Sequence, residues 1–397
     1  MKVKLVKKII LGLAVVTSIE SAFAKSTASA PMQVECAPVT ATERIKNKNK
    51  RIKTHTALYW KLLVPQLEKS LPNSLLVKGV VIGDFHYSNI GIYYNFDTTK
   101  SELVLNDLDD AGTNYLVGDL LKYFSFLRTE EVEIEQKGKK KDKKVTGKDL
   151  YDLEKVFNAY IDGLRNKTRS TPPAFQSAMA VPQNKAVEKF NKELGKELAK
   201  FAKVEELDAK LLPIANDLQK ANPVLSTNTI LAKKFEVNDS GSSVGQKRFT
   251  FLIEKQSPGH PKAVIEFKQL TCAASNLNRS QDLSQIPKTV SAYLNQQSSS
   301  AVLPFVLPAN ESLVKSGKEV YLLRMKQPNY MEKVVETCTE NNQLQELAEL
   351  FAYLLGQFHS KSANNVFVDE LAKSSELIFK TCHESQKAFL EETEIGK

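Results

Sequence analysis

The sequence has little that would anchor it in a membrane or build it around zinc. Its first apolar stretch, Ile9 to Val16, is far shorter than the roughly 20 residues a membrane-spanning helix requires, and no later segment could span a bilayer. The four cysteines, Cys36, Cys272, Cys338 and Cys382, fit no zinc-binding spacing. Histidine is scarce, with five in 397 residues, which limits histidine-based metal chemistry. No internal repeat is visible, so the chain does not read as a solenoid or propeller.

What is present is a globular composition, 42% hydrophobic and 25% charged, in a chain long enough for one large domain or two ordinary ones. The formal charge of +9 is partly carried by Lys2, Lys4, Lys7 and Lys8. This mild basic excess suits anionic partners without demanding nucleic acid. Residues 1–24 read as a secretory signal: a lysine-rich start, an apolar stretch, and Ala22-Phe23-Ala24 as a small-residue cleavage site. Export to a periplasm or to the medium is therefore expected. An oxidising compartment would let the even number of cysteines pair, in a pattern the spacing does not reveal.

Residues 25–50 read as a flexible leader, with folded structure from near Thr54. Within 51–130, Leu75 to Leu105 is strand-like, ending in a hairpin whose turn is Asp97-Thr98-Thr99-Lys100. Leu116 to Leu127 reads as a helix with Leu120, Tyr123, Phe124 and Leu127 on one face. Residues 131–149 hold Lys137, Lys139, Lys140, Lys141, Lys143 and Lys144, a charge block that usually marks a solvated loop. Residues 150–222 are helical in pattern, at Leu150 to Leu164 and Ala186 to Leu218, with Pro172-Pro173 separating the two. Residues 223–330 change to short strands, KRFTFLIEK, KAVIEFKQL and KEVYLLRMK, which predict a sheet-based lobe. Residues 331–397 return to helices, clearest at Leu344 to Ser360.

An apolar strand delivers Gly83-Asp84-Phe85-His86-Tyr87-Ser88-Asn89, and after the hairpin come Asn106-Asp107-Leu108-Asp109-Asp110. Phosphoryl transfer needs a carboxylate beside the attacking hydroxyl and oxygen ligands that hold magnesium against phosphates. Asp84, Asn89 and Asp107 supply such groups. Asn89 lies five residues beyond Asp84, the Asp-to-Asn interval of kinase catalytic loops. The plain alternative is that these side chains cap turns at strand ends. Crowding Asp107, Asp109 and Asp110 argues against it, because adjacent like charges destabilise unless a cation compensates. His86 is open to a structural role, bridging loop backbone, or a catalytic one. Gly83-Asp84-Phe85-His86 also resembles dinuclear metallophosphoesterases, but that family adds further histidine motifs, and His55, His260, His359 and His383 stand in none.

The motif set G-D-x-H-x-x-N followed by N-D-x-D resembles an uncharacterised bacterial family catalogued as domain of unknown function 2252, grouped with aminoglycoside phosphotransferases and protein kinases. The similarity runs from about Arg51 onward. It implies an α+β, two-lobed protein-kinase-like fold that binds ATP or another nucleotide with magnesium. Asp84, His86 and Asn89 then take catalytic positions, and Asn89, Asp107 and Asp109 become metal ligands. Gly241, Ser242 and Gly245 resemble the nucleotide loop, and Lys268 the phosphate-reaching lysine. Asp119 resembles the aspartate that follows the metal site in the antibiotic kinases.

In kinase-like chains the lysine strand ordinarily precedes the catalytic loop, whereas here it follows. The helix ending near His359 resembles the one that leads into that loop. The expectation is a circular permutation with a helical insertion, the helix near His359 packing beside the strand that leads to Gly83. One departure stands out: kinases pair the lysine with a glutamate, yet between Lys268 and Glu311 the only acidic residue is Asp282. Asp282 substitutes, a glutamate arrives from elsewhere, or the protein is a degenerate kinase that binds without turnover.

Overall fold

The computed structural model describes residues 33–36, 48–95, 100–105, 110–134, 143–201, 211–221, 225–226, 228–237, 245–254, 262–272, 274–276, 280–282, 313–326 and 341–394. Residues 1–24, expected to be a secretory signal, lie outside the described residues. The architecture is mixed α+β. In chain order the elements are β1 (Gln33–Glu35), α1 (Lys48–Thr54), α2 (Thr56–Ser70), β2 (Lys78–Val81), β3 (Ile90–Asn95), β4 (Lys100–Leu105), β5 (Gly112–Tyr115) and α3 (Leu116–Thr129). Next come β6 (Glu131–Ile134), β7 (Lys143–Thr146), α4 (Gly147–Leu150), α5 (Leu153–Leu164), α6 (Pro173–Met179), α7 (Gln183–Phe201) and α8 (Leu212–Ala221). The chain continues with β8 (Ile230–Val237), β9 (Lys247–Glu254), β10 (Lys262–Leu270), β11 (Ser280–Asp282), β12 (Leu313–Ser316) and β13 (Glu319–Lys326), then α9 (Asn341–His359), α10 (Asn365–Ala372) and α11 (Ser375–Glu394).

Helix α3 is the axis of the helical body. Every residue from Leu116 to Leu127 is buried, including Asp119, Lys122 and Ser125, because α2, α9 and α11 all pack on it. The single apolar face expected from periodicity is therefore only part of its contact surface. Helices α5 and α9 cross with their backbones touching: a Cβ at Gly163 would lie 2.1 Å from the Tyr353 carbonyl, and one at Gly356 would lie 2.2 Å from the Tyr160 carbonyl. Only glycine permits that approach.

The second body is an antiparallel five-stranded sheet in the order β12-β13-β10-β9-β8. Strand alternation divides its residues. Phe249, Phe251, Ile265, Phe267, Tyr321 and Leu323 pack with Ala215 and Leu218 of α8. On the opposite face Leu252 and Val264 pack with Phe201 of α7. Leu270, Ala274, Val320 and Leu322 join the large helical core, which ties the sheet to the helical body.

Several expectations need correction. Folded structure begins before Thr54, since α1 starts at Lys48 and Arg51 is buried. The leader is not wholly loose: β1 pairs with β11, and Cys36 is disulfide-bonded to Cys272. The basic segment is not simply a loop, because β6 and β7 pair across it, although residues 135–142 lie outside the described residues. Pro172-Pro173 opens a helix, with Pro172 at the cap of α6, rather than only separating two. Of the stretch expected to be helical over 186–218, the described residues form α7 and α8, and residues 202–210 lie outside the described residues. Strands β5, β8 and β12 are additions to the expected set.

Candidate active site

Strand β2 runs through Ile82 into Gly83, whose φ of +82° belongs to the left-handed region. A Cβ there would meet the Asp110 carbonyl at 2.1 Å, so glycine is required twice over. The loop backbone is held from two directions. Asp119, fully buried on α3, accepts the Ile82 amide at 2.6 Å and the Gly83 amide at 3.0 Å. The Trp60 indole donates to the Gly83 carbonyl at 2.7 Å.

Asp119 has its own support. His359 Nε2 lies 3.2 Å from Asp119 Oδ2, and the Tyr160 hydroxyl lies 2.7 Å from His359 Nδ1. A carboxylate can only accept, so Nε2 donates to Asp119. Burial, then the charge of Asp119, raises the Tyr160 phenol well above its usual range, which keeps it a donor.

Asp84 is buried, and both its oxygens are engaged. Oδ1 accepts from Thr56 Oγ1 at 2.9 Å and pairs with Lys122 Nζ, while Oδ2 lies 3.4 Å from His86 Nε2. Burial alone would raise this carboxyl, but Lys122 and then His86 outweigh it and hold it well below the ordinary carboxylate range. Asp84 is therefore a fixed anion, a weak base and a strong hydrogen-bond acceptor. Asn89 donates Nδ2 to the Asp84 main-chain carbonyl at 2.6 Å. Because that carbonyl can only accept, the amide NH2 faces it and Oδ1 is left for another partner.

His86 stacks on Phe126, with ring centroids 5.6 Å apart, and burial lowers its pKa despite Asp84. Its Nδ1 is buried with no hydrogen-bond partner among the described residues. Beside it, Lys53 Nζ lies 4.7 Å from the Tyr87 ring centroid and 4.9 Å from that of Phe126. Burial lowers the Lys53 pKa, with Glu130 and Asp84 opposing.

The structure thus brings Asp84, His86 and Asn89 together. Asp107, Asp109, Gly241 and Ser242 lie outside the described residues. Among the described residues no group of three or more metal-capable His, Cys, Asp or Glu side chains is present. The flanks of the acidic segment are described: Leu105 pairs in register with Ile90, next to Asn89, and the Asp110 backbone abuts Gly83. Gly245 is exposed with φ of +80°, two residues before β9. Lys268 sits on β10, 1% exposed, in register with Arg248 and Leu322. It is not the solvated strand-end lysine that its position alone suggests. Asp282 lies on β11, paired in register with Gln33.

Two of the remaining described histidines have side-chain partners of their own. His359 is engaged by Asp119 and Tyr160, and His383 Nδ1 lies 3.1 Å from Arg128 Nη2. The residues that sequence reasoning missed are Thr56, Lys122, Trp60, Tyr160 and the ring of His359. Lys122 carried a usable signal: a lone lysine between Leu120-Leu121 and Tyr123-Phe124 is buried only if an anion meets it.

No protein-family model, no curated protein and no solved structure matches this chain.

Proposed function

We propose that the protein is an exported, kinase-like phosphotransferase of circularly permuted, two-lobed form. It binds ATP or another nucleotide with magnesium and passes a phosphoryl group to an acceptor hydroxyl. The observation that carries this reading is the Asn89 amide bonded to the Asp84 carbonyl at 2.6 Å. This fixes a carboxylate and an amide oxygen on one rigid loop at the kinase interval.

Three further arrangements support it. Lys268 stands on the third strand in chain order of a five-stranded sheet, after the segment that holds Gly241, Ser242 and Gly245, as kinase-like lobes carry their lysine. Helix α9 ends beside β2, since a Cβ at Gly79 would lie 2.4 Å from Ser362 Cβ and His359 reaches Asp119. That adjacency is what a permutation at this point requires. Leu105 and Asp110, which flank Asp107 and Asp109, border the loop that carries Asn89. No helix among the described residues is long and apolar enough to cross a membrane, and the charge pattern calls for no nucleic acid.

The nucleotide would supply the phosphoryl group and magnesium would neutralise its developing charge. Asp84, an anion held by Lys122, orients the acceptor hydroxyl rather than deprotonating it outright. Asn89, with Asp107 and Asp109, would hold the metal, and Lys268 the phosphates. Asp119, Trp60 and His359 keep the loop from shifting, and a misplacement of about 1 Å costs on the order of 100-fold in rate.

One observation favours a second reading, a kinase-like binding protein without turnover. The Asp84 carboxylate is already engaged by Thr56, Lys122 and His86. Thermal unfolding with ATP and magnesium tests the first reading. Ligand at 100 times its dissociation constant adds about 2.7 kcal/mol of stability, and Asp107→Ala should abolish that gain. Absence of stabilisation in the native protein, or its persistence in Asp107→Ala, contradicts the phosphotransferase site.

A further inference from the structure

The Cys36–Cys272 disulfide lies where three parts of the molecule meet. Cys36 directly follows β1, which is held to β11 by a three-residue ladder, Gln33 with Asp282, Val34 with Gln281 and Glu35 with Ser280. Cys272 lies two residues beyond the end of β10, the strand that carries Lys268. The turn around Cys272 is docked on the loop region of the helical body. The Ala274 amide donates to Asp110 Oδ1 at 3.1 Å, Ser275 Oγ to the Asp110 carbonyl at 3.5 Å, and Asn114 Nδ2 to the Ser275 carbonyl at 2.7 Å. Asp110 is the residue whose carbonyl abuts Gly83. Thr271 accepts from Gln246, the neighbour of Gly245, at 3.1 Å. One short turn therefore touches the lysine strand, the foot of the β8–β9 connection and the residue against Gly83.

Among the described residues, a three-pair ribbon and one side-chain hydrogen bond accompany the S–S bond in holding residues 33–36. A two-stranded ribbon of three residue pairs is marginal by itself, and Asn276 Nδ2 adds one hydrogen bond to Cys36 Sγ at 3.2 Å. The bond joins positions 236 apart in sequence, so the unfolded or opened chain has no local means of restoring the contact. Cys382 does not compete for it, being fully buried against Ser125 and Leu121.

We propose that the Cys36–Cys272 disulfide is a redox-operated clasp that fixes the 271–276 turn on Asp110 and Asn114, so that the junction of the sheet with the Gly83 loop is assembled fully only in the oxidised protein. A dithiol opens it: its thiolate attacks one sulfur, the S–S bond breaks, and the second thiol of the reductant completes the exchange. The reductant leaves as its own disulfide, having delivered two electrons and two protons, and Cys36 and Cys272 become thiols. The protein would be loose at this junction in a reducing compartment and tighten after export.

The test is hydrogen exchange on the full chain, oxidised, treated with dithiothreitol, and as Cys36→Ser. Reduction and Cys36→Ser should each raise exchange at least tenfold in 271–276 and in 110–115. The helices α3 and α9 should be unchanged, and dithiothreitol should add nothing to the variant. Should Cys36→Ser fail to fold, reduction of the native protein together with Cys272→Ser reads the same clasp. Unchanged exchange in 271–276 and 110–115 after reduction overturns the proposal, as does a dithiothreitol effect that persists in Cys36→Ser. No nucleotide enters the measurement, so its outcome is separate from that of the phosphotransferase reading.

Discussion

Asn89 donates its side-chain amide to the main-chain carbonyl of Asp84, five residues earlier, at 2.6 Å. Both residues are buried, so water cannot replace a lost partner. Asn89→Asp turns the donor into a carboxylate facing a carbonyl and should destabilise the protein by about 1–3 kcal/mol. Urea midpoints equal to those of the native chain would mean that this bond does not hold the loop.

Lys122→Met leaves the Asp84 anion buried without its principal counter-ion. Removing one partner of a buried pair typically destabilises by about 3–5 kcal/mol. In Lys122→Met/Asp84→Asn the charge is absent as well, so the double variant should be clearly more stable than the sum of the single losses predicts. Strict additivity in a double-mutant cycle would show that the pair contributes nothing by being a pair.

Acid should act in two windows. His86 has a folded pKa below 6.5, so the unfolded chain takes up a proton that the folded loop resists, and stability falls as pH drops below about 6.5. Asp84 has a folded value below its unfolded 3.8, so its contribution is complete above about pH 4 and is lost as pH falls through the folded value. Each group limits the slope to about 1.4 kcal/mol per pH unit. His86→Gln should flatten the upper window and, because His86 also helps to hold Asp84 low, shrink the lower one without removing it, Lys122 remaining in place, as read from unfolding free energies across the range.

Two glycine substitutions should have opposite signs. Gly163→Ala forces a Cβ to 2.1 Å from the Tyr353 carbonyl, and overpacking of this kind destabilises by about 1–3 kcal/mol. Gly195→Ala on α7 meets nothing within 4 Å and should stabilise by up to about 1 kcal/mol through helix propensity. Calorimetric midpoints moving in the same direction would contradict the α5–α9 crossing described above.

Much of this was legible before any coordinates, for reasons that differ by element. The β3–β4 hairpin and α9 carry strong periodicity over enough residues to define them. Strand β5 is four residues and β1 and β11 three, so they form only because distant partners present an edge, whereas β12, also four residues, forms a local hairpin with β13 through Gly317-Lys318. In the site, Asp84 and Asn89 were visible because they share a local spacing. Lys122 and Thr56 reach Asp84 from 38 and 28 residues away, a proximity that depends on how α2 and α3 pack. Asp119, Lys122 and Ser125 lie off the face of Leu120, Tyr123, Phe124 and Leu127 expected for this helix. They are inside because the loop amides, Asp84 and Tyr59 satisfy them.

The central claim is phosphoryl transfer through the Gly83–Asn89 loop. The most direct measurement follows label from the γ-phosphate of ATP, with magnesium, into a library of hydroxyl-bearing small molecules and proteins, for the native chain and for Asp84→Asn. The account predicts transfer by the native protein and a loss of at least 100-fold in Asp84→Asn, with both proteins folded. Equal transfer by the two, or none by the native protein, would contradict it.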